Sequence, residues 1–180
     1  MPHIWEHAVI IGAGGAIGGA LADALIEDKD VRMLHAFSRR AISRAWPSHA
    51  ITGIMDLEHE DSIAAAAGTV AGAGRPVDLL IVATGLLHTP AQMPEKGFRD
   101  LTPQAMAQAF AVNTIGPALV LKHFLPLFNR QRQAVCAVLS ARVGSLSDNR
   151  AVAVSGGCCI GPAERFARRK HRTQRPVPGL

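Results

Sequence analysis

Short apolar runs alternate with longer amphipathic stretches along the first 140 residues. The apolar runs, which have the length and composition of buried strands, are 7–12, 31–37, 50–55, 77–83 and 134–140. The stretches with helical spacing are 15–28, 58–72 and 102–128, and Leu21, Leu25 and Ile26 face inward from the first. Because strands and helices alternate, the pattern predicts an α/β fold: a Rossmann-type, doubly wound parallel sheet with helices on both faces.

The first predicted strand runs directly into a glycine-rich turn. Residues 8–11 are apolar, and Gly-Ala-Gly-Gly-Ala-Ile-Gly follows at 12–18, where the first helix begins. Such a turn presents bare N–H groups at a helix N-terminus to an anion, and a pyrophosphate is the usual guest. A tight turn without a ligand is the alternative. A second strand about 20 residues further on favours nucleotide binding.

Small and polar residues recur where the predicted strands end. The residues at these ends are Gly12, Ser38, Asp56, Thr84 and Ser140. Ligands of an open parallel sheet bind beyond the carboxyl ends of its strands, so these positions predict one shared site. For Ser140, the alternative is a hydroxyl that bonds local backbone.

Arg39 and Arg40 follow the second predicted strand. An acid there in a dinucleotide fold binds the adenosine ribose 2′-hydroxyl, whereas an arginine suits a 2′-phosphate. Ser38 stands where that acid would be, so the sequence favours NADP over NAD; NAD and a plain surface arginine pair remain alternatives. Asp56 either accepts a hydrogen bond from an adenine amino group or caps the next helix.

The long helix predicted at 102–128 contains residues that interrupt helices. Asn113 is a poor helix former, and Pro117 has no N–H for the carbonyl of residue 113. With Gly116, they predict a kink that leaves a free carbonyl and an amide side chain at one point, where a water can be held. A kinked core helix without a function is the equal alternative.

Taken together, residues 7–150 resemble the short-chain dehydrogenase/reductase family, most of all its small C-factor-like members. Residues 11–18 are similar to the family's Thr-Gly-x-x-x-Gly-x-Gly motif, with Ile11 for the threonine and Ala16 for the middle glycine. Ala83-Thr84-Gly85 looks like the Asn-Ala-Gly stretch after strand four, and 112–117 is the closest match. Residues 139–145 resemble the stretch that carries the catalytic serine.

The resemblance implies an NADP-preferring oxidoreductase that transfers a hydride between a nicotinamide cofactor and a small carbonyl or alcohol substrate. It assigns cofactor binding to Gly12, Gly14, Gly15, Ala16, Ile17, Gly18, Ser38, Arg39, Asp56, Leu57, Ala83, Thr84, Gly85 and Asn113. It also places Asn113 in the catalytic set, where in the family the backbone carbonyl binds a proton-relay water. The usual catalytic serine is Ala141 here, so Ser140, or else Ser145, takes that role.

The chain departs from the family at the proton donor. The family uses a Tyr-x-x-x-Lys pair, but this chain has no tyrosine, and Lys170 is the only lysine after Lys122. General acid–base assistance is typically worth about 10²–10⁴-fold. The alternative hypothesis is therefore a catalytically inactive protein that binds a dinucleotide or a partner.

Composition changes abruptly after Arg150. Residues 150–180 carry a net charge of +6, whereas the whole chain carries +5, so the basicity belongs to the tail. We predict a dinucleotide-binding domain at 1–150 and a basic, disordered tail at 151–180. The hypothesis is a chain truncated or frame-shifted after about residue 150, with the sheet incomplete at its C-terminal end. Only Phe166 interleaves with the basic residues, so we do not expect nucleic acid as a partner.

Length and composition narrow the classes of protein to which the chain can belong. A chain of 180 residues, 48% hydrophobic and 18% charged, is typical of one globular domain. We expect no signal peptide, no stretch as long as a membrane span and no metal site, hence a cytoplasmic protein. The uncovered edge of strand five predicts association between copies of the chain.

Overall fold

A computed structural model describes residues 5–86 and 101–140. The strands are β1 His7–Ile11, β2 Met33–Ser38, β3 Ala50–Ile54, β4 Leu79–Val82 and β5 Val135–Val138. The helices are α1 Ala16–Glu27, α2 Glu60–Gly72, α3 Pro103–Phe110 and α4 Gly116–Phe124. The predicted loop at 141–150 and tail at 151–180 lie outside the described residues, as does most of the predicted loop at 84–101.

The five strands form one parallel sheet in the order β3-β2-β1-β4-β5. The chain moves outward from β1 to β3 and then returns to the other side of β1 with β4, so the sheet is doubly wound. Ile11, at the end of β1, lies opposite Phe37 on one side and Val82 on the other. The predicted α/β fold is confirmed, and its switch point lies between β1 and β4.

Two hydrophobic layers hold the helices against the sheet. On one face, Ile63 and Val70 of α2 and Phe124 of α4 are fully buried against alternate strand residues. On the other face, α1 packs with Leu21, Leu25 and Ile26 turned inward, as the sequence predicts. Helices on both faces leave the carboxyl ends of the strands as the place where a ligand can enter.

The predicted helix 102–128 is interrupted at the predicted place. Ala111–Ile115 form a π-helical segment between α3 and α4, and the Gly116 N–H donates to the carbonyl of Ala111, five residues back. A 3₁₀ turn, Leu125–Leu127, follows α4. Because Pro117 has no N–H to donate, a wider turn here is consistent with the proline's position.

The same helical run corrects the expectation about membrane-length segments. Within the described residues, Pro103–Leu127 is long and apolar enough to cross a membrane by length and composition alone. The expectation that no stretch reaches this length is therefore wrong. One such helix is weak evidence for a span, since core helices and signal sequences pass the same test; 22% of its most apolar window is buried, and Val120 and Phe124 are fully buried in the core.

Candidate functional site

The glycine turn after β1 is folded tightly between its two neighbouring strands. The N–H groups of Gly12 and Ala13 both donate to the carbonyl of Phe37, at 2.8 and 3.0 Å. Gly12 has φ +96°, and a Cβ there would lie 2.7 Å from the carbonyl oxygen of Ala83. Only glycine fits this position, because any side chain would strain the backbone and meet the end of β4.

The first turn of α1 presents unpaired backbone donors. Its N-cap is Gly15, which has no side chain to cap the helix, and no acidic residue lies in the first turn. The N–H groups at the start of a helix have no acceptor within it. A Cβ on Gly18 would clash with the carbonyl of Gly12, so this glycine lets the helix pack closely on the turn. Local structure thus provides donors for an anion.

A cavity of about 440 Å³ opens at the switch point, in front of the carboxyl ends of the strands. The predicted cofactor residues that line it are Gly12, Gly14, Gly15, Ser38, Arg39, Asp56, Leu57, Ala83, Thr84 and Gly85. The predicted residues that do not line it are Ala16, Ile17 and Gly18, in the first turn of α1, together with Asn113 and Ser140.

The end of β2 forms the basic side of the cavity. Arg39 and Arg40 are exposed there, and neither makes an ion pair with another described residue. The Ser38 hydroxyl donates to the carbonyl of Arg40, which fixes the turn that carries both arginines. A Cβ on Gly14 would lie 3.0 Å from this hydroxyl oxygen, so the glycine turn and the basic turn touch.

The end of β3 forms the acidic side of the cavity. The N-cap of α2 is His59, so the alternative that Asp56 caps this helix is wrong. Instead, Asp56 Oδ1 accepts from the N–H of Glu58 at 3.0 Å, and the carboxylate lies in the cavity lining. An ionised carboxylate has further acceptor positions, so it remains able to bind a donor from a ligand.

Thr84 contributes an unsatisfied polar atom to the lining. Its Oγ1 is buried and has no hydrogen-bond partner among the described residues. Leaving a buried hydroxyl unpaired costs free energy, which a ligand with a polar group at this place would recover. The N-terminus of α1, the two arginines that form no ion pair with a described residue, and this hydroxyl together fit a nicotinamide dinucleotide.

The Asn113 side chain has a role that the sequence does not reveal. Its Oδ1 accepts from the Leu86 N–H at 2.7 Å, and its Nδ2 donates to the Leu86 carbonyl at 2.8 Å. The amide side chain that the sequence predicts at the kink is therefore fully paired with the backbone of Leu86. Asn113 thus ties the π-helical segment to the chain just after β4.

Ser140 follows β5 at the carboxyl edge of the sheet. β5 pairs with β4, and Val138 lies opposite Val82, so Ser140 follows the strand next to the one that leads to Thr84. The described structure thus brings the predicted strand-end residues to one edge of the sheet. Ser145, the other candidate serine, lies outside the described residues.

Seven lining residues are not among those assigned to cofactor binding from the sequence, although Arg40 is considered there beside Arg39. They are Ile11, Arg40, Met55, Glu58, Leu86, Gln108 and Val112. Most of them adjoin predicted residues and could have been found by extending each strand end by one position. Gln108 and Val112 come from α3 and the π-helical segment, four residues apart on one helical face, so only the tertiary packing reveals them.

A doubly wound parallel sheet with a glycine-lined cavity at its switch point defines a dinucleotide-binding α/β protein. The chain belongs to the short chain dehydrogenase family, whose model matches residues 6–153. The resemblance drawn from the motifs is thereby confirmed. Members of this family are oxidoreductases that use a nicotinamide cofactor. A search of curated proteins finds no match.

Solved structures with the same fold include three carbonyl reductases. The NADPH-bound carbonyl reductase from chicken fatty liver is 20% identical with a TM-score of 0.74; the alignment covers 87% of this chain and 67% of that one. A carbonyl reductase from Pseudomonas aeruginosa PAO1 is 23% identical, with a TM-score of 0.69 and coverages of 84% and 69%. The putative carbonyl reductase Sniffer of Caenorhabditis elegans is 21% identical, with a TM-score of 0.70 and coverages of 81% and 67%. The chain thus spans about two thirds of each, and at these identities the likeness establishes the fold.

Proposed function

We infer that the chain binds NADP(H) in the cavity at the switch point. The main observation behind this proposal is the order of three chemical groups around the cavity. They are the free N–H groups at the start of α1, the arginines after β2 and the carboxylate after β3. A pyrophosphate suits the first, a ribose 2′-phosphate the second and an adenine amino group the third. Cofactor binding at these residues is a proposal that the geometry supports.

The preference for NADP over NAD rests on Arg39 and Arg40. Since neither arginine pairs with a described acid, a 2′-phosphate would gain charge-assisted hydrogen bonds without breaking an existing ion pair. NAD has a hydroxyl at this position and would gain much less. The carbonyl reductase from chicken fatty liver, which shares the fold, is described as NADPH-bound.

The reaction we propose is reversible hydride transfer between the nicotinamide and a small carbonyl or alcohol substrate. When bound, the cofactor supplies or accepts the hydride. Asn113 holds the segment after β4 through Leu86, and its backbone carbonyl and the Ser140 hydroxyl are the proposed members of the catalytic set. The chain has no tyrosine, so another group must transfer the proton.

The test of binding is a titration of the full chain with NADPH and with NADH, followed by cofactor fluorescence. Hydrogen bonds to charged groups contribute about 1.5–3 kcal/mol, so Arg39→Ala should weaken NADPH binding about tenfold or more while leaving NADH unchanged. Arg32→Ala is the matched control, because Arg32 is also exposed but lies before β2, at the opposite end of that strand. Equal affinities of the wild type for the two cofactors would overturn the NADP preference.

Turnover needs a separate assay. Oxidation of NADPH, followed by its absorbance with a panel of small aldehydes and ketones, would support the oxidoreductase. Tight NADPH binding without oxidation of any carbonyl would favour the alternative, a dinucleotide-binding protein without catalysis. Failure to bind either cofactor would refute both, because both depend on the same cavity.

The edge strand β5 supports a further proposal, that copies of the chain associate. Among the described residues, β5 pairs only with β4, and Leu139, just after it, is 40% exposed. An uncovered edge presents backbone donors and acceptors to another chain. Sedimentation would test this, and a single monomeric species across the concentration range would contradict it. A cytoplasmic location stays a prediction of the sequence.

A further inference from the structure

Gln108 is a polar residue of α3 whose side chain lines the cavity without a role in the site described so far. It lies at the end of the helix, one turn before Val112, and both line the cavity together with Asp56 and Leu57. The other glutamine of α3, Gln104, is exposed and lies outside the cavity lining. The same residue type thus occurs twice on one helix, once in the cavity and once in solvent.

Gln108 is half-buried, and its carboxamide makes no hydrogen bond with another described residue. Partly buried polar groups normally find a partner, and a carboxamide offers two N–H donors and one carbonyl acceptor. A ligand that fills the cavity would therefore meet an available donor and an available acceptor at this place.

The position of Gln108 is held by packing on both sides. The hydroxyl of Thr102 caps α3 by accepting from the Ala105 N–H at 3.2 Å. At the other end, a Cβ on Gly116 would lie 2.8 Å from Leu57 Cβ, so the start of α4 packs directly on the segment after β3. Gln108 is therefore carried on an element that is fixed next to the acidic side of the cavity.

The chemistry of the two polar groups is complementary. Asp56, when ionised, can only accept hydrogen bonds, whereas Gln108 can donate and accept at once. Adenine has an amino group that donates and ring nitrogens that accept, and a glutamine carboxamide can bind its N6/N7 edge through both. The apolar side chains of Leu57 and Val112 line the same cavity and suit the faces of a base.

We propose that Gln108 is a specificity-determining residue that recognises the adenine base of the cofactor together with Asp56. The proposal rests on the proposed binding of NADP(H). It assigns the carboxamide N–H to a ring nitrogen of the base and leaves the adenine amino group to the acceptors of Gln108 and Asp56. A base with an oxygen in place of the amino group lacks that donor and should bind less well.

The test measures dissociation constants for NADPH and for its hypoxanthine analogue, in which an oxygen replaces the amino group and N1 carries a proton, while N7 is unchanged. The variants are Gln108→Ala and Gln108→Glu, with Gln104→Ala as the matched control on the same helix. Losing one neutral hydrogen bond costs roughly 0.5–1.5 kcal/mol, so Gln108→Ala should weaken NADPH binding by up to about tenfold. Gln108→Glu keeps an acceptor for the adenine amino group but turns a second acceptor toward N7. On hypoxanthine both of its oxygens would face acceptors, O6 and N7, so the variant should weaken both ligands and shift the preference further toward NADPH by about tenfold.

The ratio of the two constants separates recognition from a merely structural role. If Gln108 only supports the helix, both ligands weaken equally in each variant and the ratio stays at its wild-type value, which would overturn the inference while leaving NADPH binding intact. If the wild type binds neither ligand, the proposed function fails and the inference fails with it. A ratio that moves in Gln108→Glu and stays unchanged in Gln104→Ala supports the role of Gln108.

Discussion

Acid should destabilise the protein through a buried histidine pair at the centre of the sheet. His7 Nε2 and His35 Nδ1 lie 2.9 Å apart, and each residue is 1% exposed. His7 Nδ1 is also 3.1 Å from the carbonyl of Arg75, so its hydrogen bonds are satisfied when both rings are neutral. Burial is the main cause that lowers the pKa of both residues, and the charge of His7 lowers that of His35 further, to about 4.

The direction in which stability changes with pH follows from the lowered pKa of the two histidines. Because the folded form binds this proton less readily than the unfolded chain, stability is complete above about pH 6.5 and is lost as the pH falls toward 4. For His35 alone, protonation favours the unfolded chain by roughly two orders of magnitude at pH 4.5 and hardly at all at pH 7. The difference corresponds to a loss of roughly 2 kcal/mol in the free energy of unfolding, to which His7 adds in the same direction.

Urea unfolding at pH 7 and pH 4.5, followed by tryptophan fluorescence, measures this loss. Carboxylates titrate over the same pH interval. The informative quantity is therefore how much more stability the wild type loses between pH 7 and pH 4.5 than His35→Leu loses. The variant is expected to be less stable at pH 7, where His7 lacks its partner, yet to lose about 2 kcal/mol less on acidification. His59→Gln, which changes an exposed histidine, should keep the wild-type acid dependence. Equal losses in the wild type and His35→Leu would refute the reasoning.

Three further predictions concern single residues. Gly12→Ala should destabilise the fold by about 1–3 kcal/mol, because its φ is positive and its Cβ would meet Ala83; an unchanged urea midpoint would contradict this. Asn113→Asp cannot donate to the Leu86 carbonyl and should cost about 1–3 kcal/mol in the same assay, whereas wild-type stability would mean that the hydrogen bond from Asn113 to Leu86 contributes nothing. Burial raises the pKa of Cys136 to about 11, so this thiol should resist iodoacetamide at pH 8 in the native protein and react in urea, as peptide mass mapping would detect; equal labelling in both states would speak against burial.

Much of the fold could be predicted from the sequence because it depends on the local chemistry of single residues. The apolar run 8–11 followed by glycines identifies both a buried strand and the tight turn after it, because few other residues allow that backbone. Pro117 likewise marks the interrupted turn of the long helix, since it removes a backbone donor wherever it stands. Strand-end residues such as Ser38 and Asp56 could be predicted to meet because parallel strands end at the same edge.

Other features depend on contacts between distant parts of the chain. The amide of Asn113 is bound by Leu86, 27 residues earlier, and nothing in the local sequence indicates that pairing. The histidine pair depends on the register of β1 against β2, in which His35 lies opposite Val9 and diagonally beside His7. Gln108 reaches the cavity only because the tertiary fold brings α3 to the same cavity as the residues that follow β3. Helical spacing identifies its face but not the neighbour of that face.

The central claim is that the cavity at the switch point binds NADP(H), and thermal unfolding of the full chain tests it most directly. A ligand at about 100 times its Kd adds about 2.7 kcal/mol to stability, which corresponds to a rise in Tm of about 5–10 °C for a chain of this size. We predict such a rise with NADPH and a smaller one with NADH at the same concentration. An unchanged Tm at millimolar NADPH would contradict the account.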